Sequence, residues 1–380
     1  MQLDPLRSVS RILVTGANGF VGSEFLRACF EQGIAGGRLV AVVRPRHGQS
    51  SRQRLEHVLR RWVDAGACAG RQSVQEFGEA IQCIDWHGIP HVLASGHRYT
   101  IIHAAADTAF DLPLQESRRI NVGLTRDLLQ FSSANFAFID RFILVSTAFV
   151  AGRRRGLIRE DGVWPRAGFN NAYEQSKWEA EDIVRQSGLP WCVVRPSIIV
   201  GDSRNGFTLH FRVVYSVVRL WLRDVVPRAP LSRRALVDLV PSNFVASALV
   251  RLCQVPVGDI VGKTLHLCAG SRSPGPVSVM AAAGRAFKRK PLPLSPPWIL
   301  KLLLFKPVFR RCSHAMQEIL STVAWHIPYL GSRGRVFDTT VAQSVLGEQS
   351  GVAPDFEDYG ERLFAWCADT SWGRKCLGSN

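Results

Sequence analysis

The sequence predicts an α/β fold, a doubly wound parallel sheet followed by a smaller C-terminal substrate lobe, and three observations carry that prediction. Short apolar, β-branched runs recur through the first half at Arg11–Thr15, Leu39–Val43, Tyr99–His103, Phe142–Val145 and Cys192–Val194, with helix-compatible sequence between them. A glycine-rich turn, Thr15-Gly16-Ala17-Asn18-Gly19-Phe20-Val21-Gly22, joins the first run to the first helical stretch. From about Gly201 the alternation fades. The chain therefore divides into 1–200, a Rossmann-type dinucleotide-binding part with the catalytic residues, and 201–380, mainly substrate lobe with some segments returning to the core.

The glycine turn is the first functional element. Glycines at the junction of a strand and a helix let the backbone turn tightly and approach a pyrophosphate, which then rests on the helix N-terminus. Gly16, Asn18, Gly19, Phe20, Val21 and Gly22 are the candidate contacts. Their spacing is G-x-x-G-x-x-G rather than G-x-G-x-x-G. The end of the second run distinguishes the two nicotinamide cofactors. A carboxylate there would bind the ribose hydroxyl of NAD, whereas an arginine suits the 2′-phosphate of NADP. The chain reads Val43-Arg44-Pro45-Arg46, so Arg44 and Arg46 are the candidate phosphate ligands and NADP(H) the expected cofactor. Asp85, after the weak run Ala80–Ile84, is the candidate for the adenine amino group.

Chemistry is expected at Tyr173 and Lys177. Four residues apart, they share a helix face, and an ammonium beside a phenol stabilises the phenolate form needed for proton transfer. Only seven of the 47 basic residues are lysines, and Lys177 is the sole lysine before Lys263. A chain that otherwise writes arginine keeps here a compact ammonium that a planar guanidinium does not replace. A second hydroxyl donor should come from a strand end. Ser146 and Thr147 both qualify, and alternation does not choose between them.

These segments, with His103-Ala104-Ala105-Ala106-Asp107, Asn121-Val122, Ser146–Gly152 and Arg195–Asp202, together resemble the extended short-chain dehydrogenase/reductases. Within them the pattern is most similar to the fatty acyl-CoA reductase and carrier-protein thioester reductase branch. The resemblance covers about residues 10–250. It implies that Thr147 is the catalytic hydroxyl, completing a Thr147, Tyr173 and Lys177 set. It also implies that Ala104 and Ala105 flank the adenine ribose, and that backbone near Pro196–Ile198 meets the nicotinamide amide. The implied activity is NADPH-dependent reduction of an acyl thioester, on CoA or an acidic carrier protein, to aldehyde, with onward reduction to alcohol as its extension. A ketone or alcohol oxidoreductase is the alternative, and a sugar-nucleotide epimerase or dehydratase ranks below it. His103 reads as a core histidine, and Asn121 as a residue that fixes local backbone.

Composition sets the outer bounds. A hydrophobic content of 46% and a mean hydropathy of +0.03 describe a globular core. Met1–Ser10 lacks the apolar stretch of a signal peptide, no run is long enough to span a bilayer, and no metal-ligand spacing occurs among the nine cysteines. Free thiols and a cytoplasmic location are expected. The net charge of +16 suits a polyanionic cofactor or an acidic partner, and no nucleic-acid motif accompanies it. Residues 207–223 read as an amphipathic helix with Arg212, Arg219 and Arg223 on its outer face. Residues 291–311, dense in Pro, Leu and Lys, read as a helix of the substrate lobe, with peripheral membrane contact as the alternative.

Overall fold

A computed structural model describes residues 10–46, 48–162, 167–225, 228–296, 298–310, 313–330 and 334–377. Most of the segment 1–10, Cys312 and residue 311 at the end of the 291–311 segment lie outside the described residues.

Seven strands form one parallel sheet: β1 (Ser10–Thr15), β2 (Leu39–Val42), β3 (Gln82–Ile84), β4 (Arg98–His103), β5 (Ile139–Val145), β7 (Trp191–Pro196) and β10 (Lys263–Leu267). Their spatial order is β10-β7-β5-β4-β1-β2-β3. The order reverses between β1 and β4, and in such sheets ligands bind in the crevice beyond the strand ends at that point. Two small parallel pairs complete the strands: β6 (Gly156–Ile158) with β11 (Arg335–Phe337), and β8 (Ile198–Val200) with β9 (Leu239–Pro241).

Both faces of the sheet are covered, which explains why its strands read as near-continuous apolar runs. Ile12, Val14 and Ala41 face one layer, built from the helices Phe20–Glu31 and Ser242–Gln254. Leu13, Val40 and Val42 face the other, packing with Leu128 and Val184 of the helices Leu114–Ala134 and Ala172–Arg185. A separate core holds the C-terminal lobe, with Val214, Tyr215, Val218 and Trp221 meeting Met280, Phe356, Tyr359 and Phe364.

Segments beyond residue 200 enter the dinucleotide-binding layer as well as the lobe. Strand β10 extends the sheet beside β7, and Ser242–Gln254 packs on the first helix. A buried ion-pair cluster ties the same parts together: Arg27 contacts Glu24 at 2.6 Å and Asp202 at 2.7 Å.

The expected helix over 207–223 is shorter than its apolar pattern. It runs Val214–Leu222, and Val213 before it has φ +52°, a left-handed geometry that a β-branched residue rarely adopts and that keeps the helix from extending backward. The three arginines consequently do not share a face. Arg212 precedes the helix. Arg219 lies between the rings of Phe211 and Trp372, 4.7 and 4.5 Å from their centroids. The 291–311 segment forms two short helices, Trp298–Leu303 and Lys306–Phe309, in the C-terminal lobe.

Candidate active site

The glycine turn closes on itself through a 2.8 Å bond from the Gly19 N–H to the Gly16 carbonyl. Gly16 has φ +68°, and a Cβ there would stand 2.8 Å from the Ala105 Cα. A Cβ on Gly22 would stand 2.2 Å from the Gly16 oxygen. Both positions thus require glycine on steric grounds. Helix Phe20–Glu31 starts with no side-chain cap and no acidic residue in its first turn, so its N–H groups and positive dipole end remain available to an anion. Asn18, Phe20 and Val21 sit partly exposed around this helix start. Ala104 and Ala105 form the opposite rim, held by N–H bonds to the Thr15 carbonyl and hydroxyl. The cradle fits a dinucleotide pyrophosphate.

Arg44 and Arg46 are exposed just beyond the end of β2. Arg54, in the first turn of helix Ser51–Asp64, donates to the Arg44 carbonyl. Its pKa is lowered by partial burial and then by the charges of Arg44 and Arg46. Three guanidinium groups therefore share one patch, a set of donors suited to a phosphate. Arg54 escaped sequence reasoning, because an arginine on the polar face of a helix carries no local signal. Asp85 follows β3 and caps a short turn by accepting the Gly88 N–H at 3.1 Å through Oδ1.

Thr147, Tyr173 and Lys177 converge at the ends of β5 and the helix Ala172–Arg185. Thr147 and Tyr173 both line the cavity, and the Thr147 side chain stabilises the Tyr173 phenolate. Lys177 Nζ donates to the Val145 carbonyl at 2.8 Å. Ser146 lines the same cavity, and its buried Oγ has no hydrogen-bond partner among the described residues, so both hydroxyls stand at the site and only Thr147 acts on the Tyr173 phenol. Burial pushes Tyr173 up to about 12, partly offset by Thr147 and by Arg212. Burial pushes Lys177 down to about 8 against the pull of Glu181. Glu181 would itself be raised by burial, but Arg195 at 2.7 Å holds it down at about 2. That pair pins the helix Ala172–Arg185 to β7.

Two further polar residues brace the site. Asn121 accepts the Asp107 N–H and donates to the Asp107 carbonyl and to Ser176, at 2.8, 3.1 and 2.9 Å. It joins the loop after β4 to the helix that carries Tyr173 and Lys177. His103 is buried between the hydroxyls of Thr15 and Thr125 at 2.7 and 3.0 Å. Thr125 spends its proton on the Asn121 carbonyl, which leaves His103 Nε2–H as the donor in that contact. Burial, followed by the Lys177 charge, depresses His103 to about 3. It is a neutral core residue.

A cavity of about 350 Å³ opens over these groups. Gly19, Pro196 and Ile198 are among its lining residues, and Phe110, Phe149 and Tyr329 form an aromatic wall. Phe110 stacks on Tyr329 at 4.6 Å, and Phe149 meets Tyr329 edge-on at the same separation. Tyr329 comes from the lobe helix His314–Leu330, and its hydroxyl accepts from the Asn171 side chain at 2.7 Å. Arg212, hydrogen bonded to Thr108 at 2.5 Å, lines the cavity and is exposed to solvent. The aromatic wall was illegible in the sequence because Tyr329 lies roughly 180 residues or more from its partners Phe110 and Phe149.

A family model described as Male sterility protein matches residues 95–249. The L-2-aminoadipate reductase large subunit of Penicillium chrysogenum is 26% identical over 273 residues, covering 64% of this chain and 18% of that protein. The chain spans 17–26% of the length of the first curated relatives it matches. The terminal R domain from the myxalamid PKS-NRPS biosynthetic pathway superposes with a TM-score of 0.77 at 23% identity, covering 97% of this chain and 93% of that one. A thiolation-reductase di-domain from an archaeal non-ribosomal peptide synthetase gives a TM-score of 0.71 at 16% identity, with 96% and 76% covered. These superpositions establish the shared fold.

Proposed function

We propose that this chain, an oxidoreductase of the extended short-chain dehydrogenase/reductase type, uses NADPH to reduce an acyl thioester to an aldehyde. The observation that carries the reading is the Thr147, Tyr173 and Lys177 cluster at the floor of an aromatic-walled cavity that also opens onto the glycine turn. In this assignment residues up to about 200 hold the cofactor and the catalyst, and those beyond mainly shape the substrate side.

Gly16, Asn18, Gly19, Phe20, Val21 and Gly22 would hold the pyrophosphate. Ala104 and Ala105 would flank the adenine ribose, Asp85 would take the adenine amino group through its second oxygen, and Pro196 and Ile198 would meet the carboxamide. Arg44, Arg46 and Arg54 favour NADPH over NADH. One charge-assisted contact to the 2′-phosphate is worth about 1.5–3 kcal/mol, or roughly 10- to 150-fold in affinity.

When bound, the reduced nicotinamide supplies the hydride. Thr147 and Tyr173 donate hydrogen bonds to the thioester oxygen as negative charge develops there. Tyr173 then gives that oxygen its proton, and the Lys177 ammonium stabilises the phenolate left behind. Breakage of the C–S bond releases the aldehyde and a thiol. Thioester, hydride and one proton thus balance aldehyde and thiol. The phosphopantetheine arm, on CoA or on an acidic carrier protein, would enter past Arg212. The seven cysteines described are all free thiols, which suits the reducing cytoplasm.

The same hydroxyl–phenol–ammonium set would serve a ketone, so the test is a panel of acyl-CoA, acyl-carrier protein, ketone and sugar-nucleotide substrates, each with NADPH and with NADH. Aldehyde formed from the thioesters, with NADPH preferred, is expected. Turnover of ketones alone would move the assignment to a ketone oxidoreductase.

A further inference from the structure

The segment from Trp298 to Arg310 takes no part in the site and is apolar on two sides. Its inner side chains, Leu303, Leu304 and Phe309, pack with Leu320 and Ile327 of helix His314–Leu330 and with Leu220. Its outer side chains find no such cover: Trp298 is 61%, Leu302 52% and Phe305 60% exposed. Trp298 and Leu302 lie one helical turn apart, and Phe305 is the extended residue that caps the next short helix, so three large apolar side chains project to solvent within eight residues.

The sequence that carries this edge is basic. No Asp or Glu occurs from Ile260 through Gln317, a stretch with ten basic residues that contains five of the chain's seven lysines. Arg272, Arg285 and Arg289 within it are neutralised by Asp355, Glu361 and Asp224. Lys306 and Arg310 are exposed and make no ion pair among the described residues.

We propose that this edge seats the protein on an anionic lipid surface, with Trp298, Leu302 and Phe305 entering the headgroup boundary and Lys306 and Arg310 meeting lipid phosphates. Three points favour lipid over a protein partner. The exposed parts of the three side chains amount to roughly 350 Å² at ~150–250 Å² per large side chain, well short of the ~800 Å² per partner of a stable protein interface. Reversible lipid attachment, by contrast, needs only a few inserted side chains flanked by cations. The return to lysine in an arginine-rich chain also fits, since a flexible stem keeps its ammonium in water while its methylenes lie on apolar surface. No helix described is long and apolar enough to cross a membrane, so the attachment is to the surface. This inference stands apart from the catalytic assignment.

The test is co-sedimentation of the full chain with vesicles of phosphatidylcholine, with and without phosphatidylglycerol, at low and high salt. Binding is expected only to the anionic vesicles and should weaken as salt rises. Lys306→Gln with Arg310→Gln should lower partitioning about 30-fold, at roughly fivefold per cation near the surface. Trp298→Ser with Phe305→Ser should lower it at least as far, with melting temperature and NADPH affinity unchanged as controls for folding. Equal binding to both vesicle types, no binding to either, or indifference to both pairs of substitutions would overturn the proposal. So would an acidic carrier protein that is captured through these same residues while vesicles are ignored.

Discussion

At the residue scale, Tyr173 and Lys177 were singled out because two residue types at one helical spacing suit a single piece of chemistry, with the lysine bias sharpening the signal, and the fold brings both to the cavity. Thr147 was not separable from Ser146 by the residues alone, since neighbouring hydroxyls at a strand end differ only in which way the chain delivers them. In the fold both hydroxyls line the cavity, but it is Thr147 that stabilises the Tyr173 phenolate, while Ser146 Oγ has no hydrogen-bond partner among the described residues. Thr147→Ala should therefore raise the barrier by about 2.7–4 kcal/mol, the scale of one lost oxyanion donor, while Ser146→Ala should be mild; steady-state kinetics of the two variants check this. Tyr173→Phe should abolish turnover with NADPH affinity nearly intact. The pH profile follows from Lys177, whose ammonium titrates at about 8. Below that pH the cation and the phenol proton are both present. Above it the cation is lost while Tyr173, pushed to about 12, keeps its proton. kcat/KM should accordingly fall as pH rises through about 8, and a flat profile to pH 10 would remove Lys177 from its role.

At the element scale, the strands of the first half were readable because burial on both faces leaves long apolar runs, and the glycine turn because sterics demand it. Strand β10 was not. Its residues Lys263-Thr264-Leu265-His266-Leu267 are mostly polar, because His266 is buried by bonds from its ring and backbone to Asp338 and Glu160 together with an edge contact to Phe337. The helix over residues 207–223 was overextended, since periodicity continues through a segment whose backbone at Val213 forbids it. Arg54 joins Arg44 and Arg46 only because helix Ser51–Asp64 folds back over the end of β2. Two predictions belong here. Gly22→Ala should weaken NADPH binding at least tenfold by prying open the turn against the Gly16 oxygen, as read by fluorescence titration. Arg44→Asp should invert the preference between NADPH and NADH, and Arg54→Gln should cut NADPH affinity while leaving NADH affinity unchanged.

At the scale of the whole molecule, the charge of +16 was visible in composition, but its distribution was not. Arg212 stands at the cavity, Arg219 is committed to aromatic rings, and the lysine-rich edge lies on the C-terminal lobe. Attraction to an acidic carrier or to CoA is screened beyond about 8 Å at physiological salt, so KM for a tethered acyl group should rise with ionic strength. A truncated thioester without the phosphate arm should show little change, and Arg212→Gln should erase the difference between the two. The central claim is hydride delivery to a thioester carbon. Its most direct measurement is a single turnover of an acyl-carrier thioester with NADPH deuterated at the transferring C4 position, followed by mass analysis of the product and a thiol assay. One deuterium on the aldehyde carbon with one thiol released per NADPH consumed is the predicted result. An unlabelled product, or NADPH oxidised without thiol release, would contradict the account.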